Sequence, residues 1–439
     1  MSELAGYRGR ALDFLKKYGV AVGDIVEVAT DWGTVTGTLV PRYLYDDDMH
    51  IVLKLSSGYN VGLSVSRLRG LKLKAKGEKP SFRPPPAPRS GEQLPRVSII
   101  GTGGTIASRV DYRTGAVHPA ISAEELYALI PELSGIAKIE PEILMSIYSE
   151  NMEPSHWQQL AERVRSVVLE GAAGVVITHG TDTMGYTAAA LSFALTNVPV
   201  PVILVGAQRS SDRPSSDAFL NLVGAVHMAA NGGFSGVYVA MHLDDSDGSV
   251  ALHRGTRVRK NHTSARSAFE SVGVPLAAIW RADGFQYLDP SLPKRSSALG
   301  WRPQTKFDGR VALFKFYPSM PGSIVRALSE AGIKVIVVEG TGLGHVSSSV
   351  LSALRDFISG GGVVFMTSQC INGRVDLNVY DTGRDLLKAG VIPLEDMLPE
   401  TALAKAMWAL ANSSSVEEMK LRMVNSILGE ITARSFPKR

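Results

Sequence analysis

A chain of 439 residues is long enough for two or three domains with a sizeable core, and 45% hydrophobic with 20% charged residues is an ordinary globular balance. Its single cysteine, Cys370, excludes a disulfide framework and any multi-cysteine metal site, and nine histidines without a His-Glu-x-x-His spacing do not indicate a metal. The net charge of +4 sits at the front: residues 1–95 hold 14 Lys/Arg against 10 Asp/Glu, and the rest balances. Charges within the first twenty residues argue against a signal peptide, and no apolar run approaches membrane-spanning length, so a soluble, cytoplasmic protein is expected.

Residues 1–78 read as their own unit. A short helix is predicted at Arg8–Tyr18, followed by four period-two segments at Asp24–Thr30, Thr34–Val40, His50–Leu55 and Asn60–Val65. Turn signals at Asp31-Trp-Gly33 and Ser56-Ser-Gly58 separate them, which suggests a small SH3-like β-barrel. It carries no catalytic constellation and reads as an interaction or positioning module. The basic run Arg67–Lys76 reads first as the wet face of an edge strand, where lysines discourage aggregation; contact with nucleic-acid phosphates is the sharper alternative. Residues 79–95 contain six prolines and form a semi-rigid linker.

From Arg96 to about Asp289, strands and helices alternate, the signature of a doubly wound, mostly parallel sheet. Strands are predicted at Val97–Ile100, Gly174–Thr178, Val202–Val205 and Gly236–Ala240, and Ser122-Ala-Glu-Glu125 is a capping box opening one helix. Leu288–Asp308 reads as a second connector. Residues 309–412 repeat the alternation more briefly, with strands at Val311–Phe316, Lys334–Glu339 and Val363–Thr367 and helices at Ser348–Ser359 and Pro399–Asn412. Residues 413–439 add an amphipathic helix over Ser415–Glu430 and a basic tail. Asp244-Asp-Ser-Asp-Gly248 looks calcium-like but does not fit an EF-hand loop, and Asn261-His-Thr263 fits a glycosylation acceptor, which means nothing without secretion.

Two stretches stand out chemically. In Val97-Ser-Ile-Ile-Gly-Thr-Gly-Gly-Thr105, glycines turn a buried strand sharply and let the Thr105 hydroxyl project into the crevice at a strand end. A dinucleotide fingerprint fails there because Ile106 replaces the third glycine, and a P-loop fails for want of Gly-Lys-Ser/Thr. Val175-Val-Ile-Thr-His-Gly-Thr-Asp182 repeats the build and ends on Thr181-Asp182. Taken singly, these threonines could merely cap helices, and Lys260 could belong to a solvated basic run. With Arg257-Val-Arg-Lys260-Asn-His-Thr as a third element in the right order, the chain from about 96 to about 412 resembles the asparaginase/glutaminase family.

The resemblance implies an α/β, two-domain asparaginase-like fold: a large doubly wound parallel sheet over 96–289 and a smaller α/β domain over 309–412, preceded here by the barrel. It implies hydrolysis of a side-chain amide, with Thr105 as nucleophile and Thr181, Asp182 and Lys260 as a second group in which Lys260 activates Thr181 or a water. The sequence leaves open which threonine attacks first. A threonine hydroxyl needs an activating neighbour, and a lysine serves as base only when burial or nearby positive charge lowers its pKa; Arg257 and Arg259 are compatible with that. Backbone N–H groups near Gly104 and Thr181 would form the oxyanion hole. Tyr112 resembles the family's lid tyrosine, and Ser149 its α-carboxylate ligand. Glu150-Asn151 departs from the family's Gln-Asp. His179 reads as a satisfied strand-end histidine rather than a catalytic one.

The delayed start also resembles the ammonia-supplying component of a tRNA-dependent amidotransferase. That likeness implies no cofactor in this chain, with ATP and Mg2+ used on a partner E subunit that amidates the glutamate of a misacylated tRNA. It implies glutamine as substrate, contact with tRNA only through the complex, and a homodimer of this chain. A free-standing cytosolic L-asparaginase is the alternative, and an RNA-binding module on an inactive scaffold is a third, which the intact Thr105, Thr181, Asp182 and Lys260 set opposes.

Overall fold

The computed structural model describes residue 4 and residues 6–42, 47–56, 59–76, 94–103, 108–110, 117–119, 130–209 and 215–434. Helix α1 (Gly9–Lys17) leads into β1 (Ile25–Thr30), β2 (Gly33–Leu39), β3 (His50–Lys54), β4 (Asn60–Ser64) and β5 (Leu68–Ala75), an antiparallel sheet in the order β4-β3-β2-β1-β5. Alternating inward residues Val26, Val28, Ile51, Leu53 and Leu63 close over Ala11 and Leu15 of α1, forming the small barrel's own core. The fifth strand is the basic run: Lys74 pairs with Glu27 and Lys76 with Asp24, so the alternation belongs to a β-edge whose charges are partly matched within the unit.

The next strands in the chain are β6 (Arg96–Gly101), a short ribbon of β7 (Ser108–Val110) with β8 (Val117–Pro119), and β9 (Lys138–Ile143). They are followed by β10 (Gly174–Thr178), β11 (Pro201–Val205), β12 (Gly236–His242) and β13 (Val250–Arg254). A second ribbon, β14 (Val258–Lys260) with β15 (Phe269–Ser271), precedes β16 (Ala278–Arg281) and β17 (Gly284–Tyr287). The large sheet runs β17-β16-β13-β12-β11-β10-β6-β9. From β12 through β9 the strands are parallel, and β13, β16 and β17 extend the sheet antiparallel. The predicted parallel strands are all present. The antiparallel extension carries no clear signal in sequence, because its strands are short and mixed in pattern, and β9 is masked by Pro141, which an edge strand tolerates.

Helices α2 (Pro154–Leu169), α3 (Met184–Ala194) and α4 (Ala218–Asn231) make the crossovers. Both faces of the central strands are covered, which explains their continuous apolar runs. Val175, Ile177, Val202 and Leu204 pack with α2 and α3, and Val176, Ile203 and Val205 pack with α4.

The C-terminal sheet, β18 (Val311–Lys315), β19 (Val335–Gly340), β20 (Val363–Ser368) and β21 (Ile392–Pro393), is parallel throughout. Helices α5 (Ser323–Glu330), α6 (Ser348–Ser359) and α7 (Asp381–Lys388) accompany it, and α8 (Pro399–Asn412) joins it to the large domain by packing Ala402, Ala406 and Ala409 into the shared core. The expected long tail helix is shorter: α9 covers Val416–Val424 only. Beyond it the Glu430 carboxylate accepts the N–H groups of Ile427 and Leu428, at 2.9 and 2.7 Å, so those donors no longer need helical carbonyls. The capping box at Ser122 and the proline segment 79–93 lie outside the described residues.

Candidate active site

Strands β6 and β10 are parallel neighbours in register, with Gly101 opposite Thr178. Their C-terminal ends therefore release both threonine-bearing loops on the same side of the sheet, at the carboxyl ends of the strands, where open α/β folds bind ligands. Thr102 ties the roots of these loops together, its N–H and its hydroxyl donating to the Thr178 carbonyl at 3.1 and 2.8 Å. Gly103 follows at φ 113°, the left-handed region that the motif's glycines anticipate. Thr105, Gly104 and Tyr112 lie outside the described residues.

The second loop is fully described. Thr181 is buried and Asp182 exposed; between them stands Lys260, at the end of β14. The Lys260 ammonium donates to Thr181 Oγ1 at 2.9 Å and to Asp182 Oδ1 at 2.7 Å, across nearly eighty positions of sequence. Ser149 is buried beside this loop, and the Thr183 hydroxyl donates to the Ser149 carbonyl at 2.6 Å, clamping the 149–151 turn onto it. Glu150 is exposed on that turn. Ser149, Thr181, Asp182 and Lys260 thus form one cluster.

His179, expected as a satisfied strand-end histidine, is hydrogen-bonded, among the described residues, at one ring nitrogen only. Its Nδ1–H donates to the Gly180 carbonyl at 2.6 Å, its Nε2 is buried without a protein partner among the described residues, and burial pushes its pKa down to about 4, so the ring is neutral. The two arginines next to Lys260 are turned to other partners. Arg257 pairs with Asp396 at 2.7 Å, and Arg259 lies 3.6 Å from Glu400, whose carboxyl is raised by burial against the opposing pull of Arg259. Sequence reasoning passes over Thr102 and Thr183, although one stands inside the first quoted motif and the other directly follows the second; only their backbone acceptors, invisible in sequence, give them work.

The hairpin bearing Lys260 is fixed at its tip as well. Arg266 donates to Asp247 Oδ1 at 2.5 Å and to the Asp245 carbonyl, so the calcium-like run serves as an anchor for arginine. Among the described residues no group of three His, Cys, Asp or Glu side chains could hold a metal ion, and no helix is long and apolar enough to cross a membrane.

These features define an asparaginase-type amidohydrolase fold. The family profiles for the asparaginase N-terminal domain and the glutaminase/asparaginase C-terminal domain match residues 96–292 and 310–423. The thermostable L-asparaginase of Thermococcus kodakarensis superposes with TM-score 0.66 at 33% identity, covering 77% of this chain and 99% of that one. L-asparaginase I of Vibrio cholerae gives TM-score 0.66 at 29% identity, covering 77% and 99%. Neither coverage reaches the whole chain, and residues 20–73 match the profile of the GatD N-terminal domain. Full-length likeness lies with GatD, the D subunit of glutamyl-tRNA(Gln) amidotransferase. The Metallosphaera sedula protein of that name is 48% identical over 434 residues, 98% of this chain and 97% of that one. The Pyrococcus furiosus protein is 47% identical over 437 residues, 98% and 99%. This chain belongs to the GatD family.

Proposed function

We propose that this chain is the glutaminase of a tRNA-dependent amidotransferase. It splits the side-chain amide of glutamine and passes the ammonia to an E subunit, which uses ATP and Mg2+ to convert Glu-tRNA(Gln) to Gln-tRNA(Gln). The observation that carries this reading is the Lys260 amine between Thr181 Oγ1 and Asp182 Oδ1 at the strand ends, in a chain related over its full length to GatD.

In the proposed reaction a threonine hydroxyl, Thr105 by family likeness, adds to the amide carbon. Its proton passes to the departing nitrogen, which leaves as ammonia, and water then cleaves the acyl-threonine to give glutamate and restore the hydroxyl. Lys260 serves as the base toward Thr181 or water, and Asp182 keeps its amine oriented. By family likeness, Ser149, held here by Thr183, binds the substrate together with Gly104 and Tyr112. No cofactor is assigned to this chain. The working assembly is a heterotetramer built on a homodimer of this chain with E subunits, and the N-terminal barrel is a positioning module within it.

The test is ammonia release by the full chain with its E subunit and Glu-tRNA(Gln). Glutamine hydrolysis that waits for both, and is lost in Thr105→Ala and Lys260→Ala, supports the reading. Robust asparagine hydrolysis by the chain alone would favour a free-standing asparaginase instead.

A further inference from the structure

The C-terminal segment is fastened to the base of the Lys260 hairpin. Arg257, three residues before Lys260, is only 1% exposed. Its Nη1 donates to the carbonyls of Asp396 and Glu430 at 2.7 and 3.2 Å, and its Nη2 donates to Asp396 Oδ2 at 2.7 Å. The Asp396 carboxylate in turn accepts from Thr432, from the N–H at 2.9 Å and from the hydroxyl at 2.5 Å. Burial opposes the charge on Asp396, but Thr432 and Arg257 together hold its carboxyl below the ordinary range. Gly273, at φ 70°, leaves the space the guanidinium occupies: a Cβ there would come within 2.5 Å of Arg257 Nη2. The tail is anchored from behind by Lys405, which donates to Glu430 Oε1 at 2.5 Å and to the Asn425 carbonyl at 2.7 Å, with both side chains of the ion pair fully buried.

Two buried ion pairs are a poor source of stability, because desolvation offsets most of their attraction; their better attested use is to fix one arrangement among several. Here the arrangement fixed is that of β14. The guanidinium spans two carbonyls and a carboxylate from two distant parts of the chain, and its Nε is left buried without a partner among the described residues. Such geometry over-determines the position of the backbone at 257 and, through Val258 and Arg259, the reach of the Lys260 amine to Thr181.

We propose that residues 425–434 form a strap that positions Lys260 through Thr432, Asp396 and Arg257, making these three positioning residues for the amide hydrolysis; the inference rests on the glutaminase reading above.

The experiment compares Thr432→Val, which keeps shape and backbone but removes the hydroxyl, with Thr432→Ser, which restores it. Both are made in the full chain and studied with the E subunit. Because small displacements of catalytic groups are costly, kcat for glutamine falls about 10-fold in Thr432→Val while KM changes less than about twofold, and Thr432→Ser recovers most of the loss. Amide exchange over residues 258–271 quickens in Thr432→Val and returns to the parental rate in Thr432→Ser. Unchanged exchange over 258–271, or faster exchange with an unaltered kcat, overturns the strap. A parent complex that releases no ammonia from glutamine overturns the glutaminase reading instead, and the exchange comparison then decides the strap on its own.

Discussion

Two lysine–carboxylate pairs in this chain have opposite surroundings. Lys260 reaches Asp182 at 2.7 Å, and that carboxylate is 71% exposed. Lys405 reaches Glu430 at 2.5 Å with neither side chain exposed at all. The difference lies in how the three N–H positions of each ammonium are used. Lys405 gives one to the carboxylate and the others to the carbonyls of Met423 and Asn425, so it is saturated and inert. Lys260 gives one to Asp182 and one to a threonine hydroxyl, a group that can itself surrender a proton, and has a position to spare among the described residues. The same chemical pair serves as a fastener where every donor is spoken for and, in the reaction proposed above, as machinery where one is not.

Breaking each pair in turn should expose that contrast. Lys260→Ala should lower glutamine hydrolysis by the E-subunit complex on the order of 10²–10⁴-fold while barely moving the unfolding midpoint, because the abandoned carboxylate is solvated. A large loss of thermal stability at retained activity would reverse the assignment. Lys405→Met should do the opposite, costing about 3–5 kcal/mol in denaturant unfolding because Glu430 is left charged and buried. Adding Glu430→Gln should recover part of that loss, since a neutral amide oxygen still accepts from the Ile427 and Leu428 N–H groups. If the double variant is no better than the single one, burial of the charge is not the cause.

Acidification sharpens the comparison by loading a third kind of buried base. Burial pushes His179 and His253 down to about 4, against an unfolded value near 6.5. The unfolded chain therefore binds these protons first, so stability is full above about pH 6.5 and is lost as pH falls toward 4, by up to about 3 kcal/mol per ring. Denaturant midpoints from pH 7 to pH 4 should show this slope, and His253→Asn should flatten it. The smallest effect is expected at the loop roots. Thr102→Val removes one buried hydroxyl donor to the Thr178 carbonyl and should cost about 1 kcal/mol, read as a small shift in the same midpoint.

How much of this is legible in sequence follows from the range of the forces involved. The β6, β10, β11 and β12 strands are readable because burial on both faces writes continuous apolar runs, and Thr181, Asp182 and Lys260 because their motifs carry chemistry that few other arrangements need. The β14–β15 hairpin and the antiparallel extension are not, since three- and four-residue strands leave no period to count. The tail helix is overextended in the sequence reading because amphipathic spacing continues past Val424, while the competing demand, a carboxylate turning back on its own N–H groups, needs the fold around Lys405 to exist first. Proximity in sequence puts Arg257 forward as an electrostatic neighbour that tunes Lys260. Its actual partner lies 139 positions away, and no local pattern announces it.

That long reach has a consequence for the timing of synthesis. On a ribosome, residues 97–181 emerge well before Lys260, and the contacts that seat Arg257 need a carbonyl 173 positions further on. A growing polypeptide that has yet to add Glu430 therefore lacks one of the partners that seat Arg257, and with it the brace proposed for Lys260.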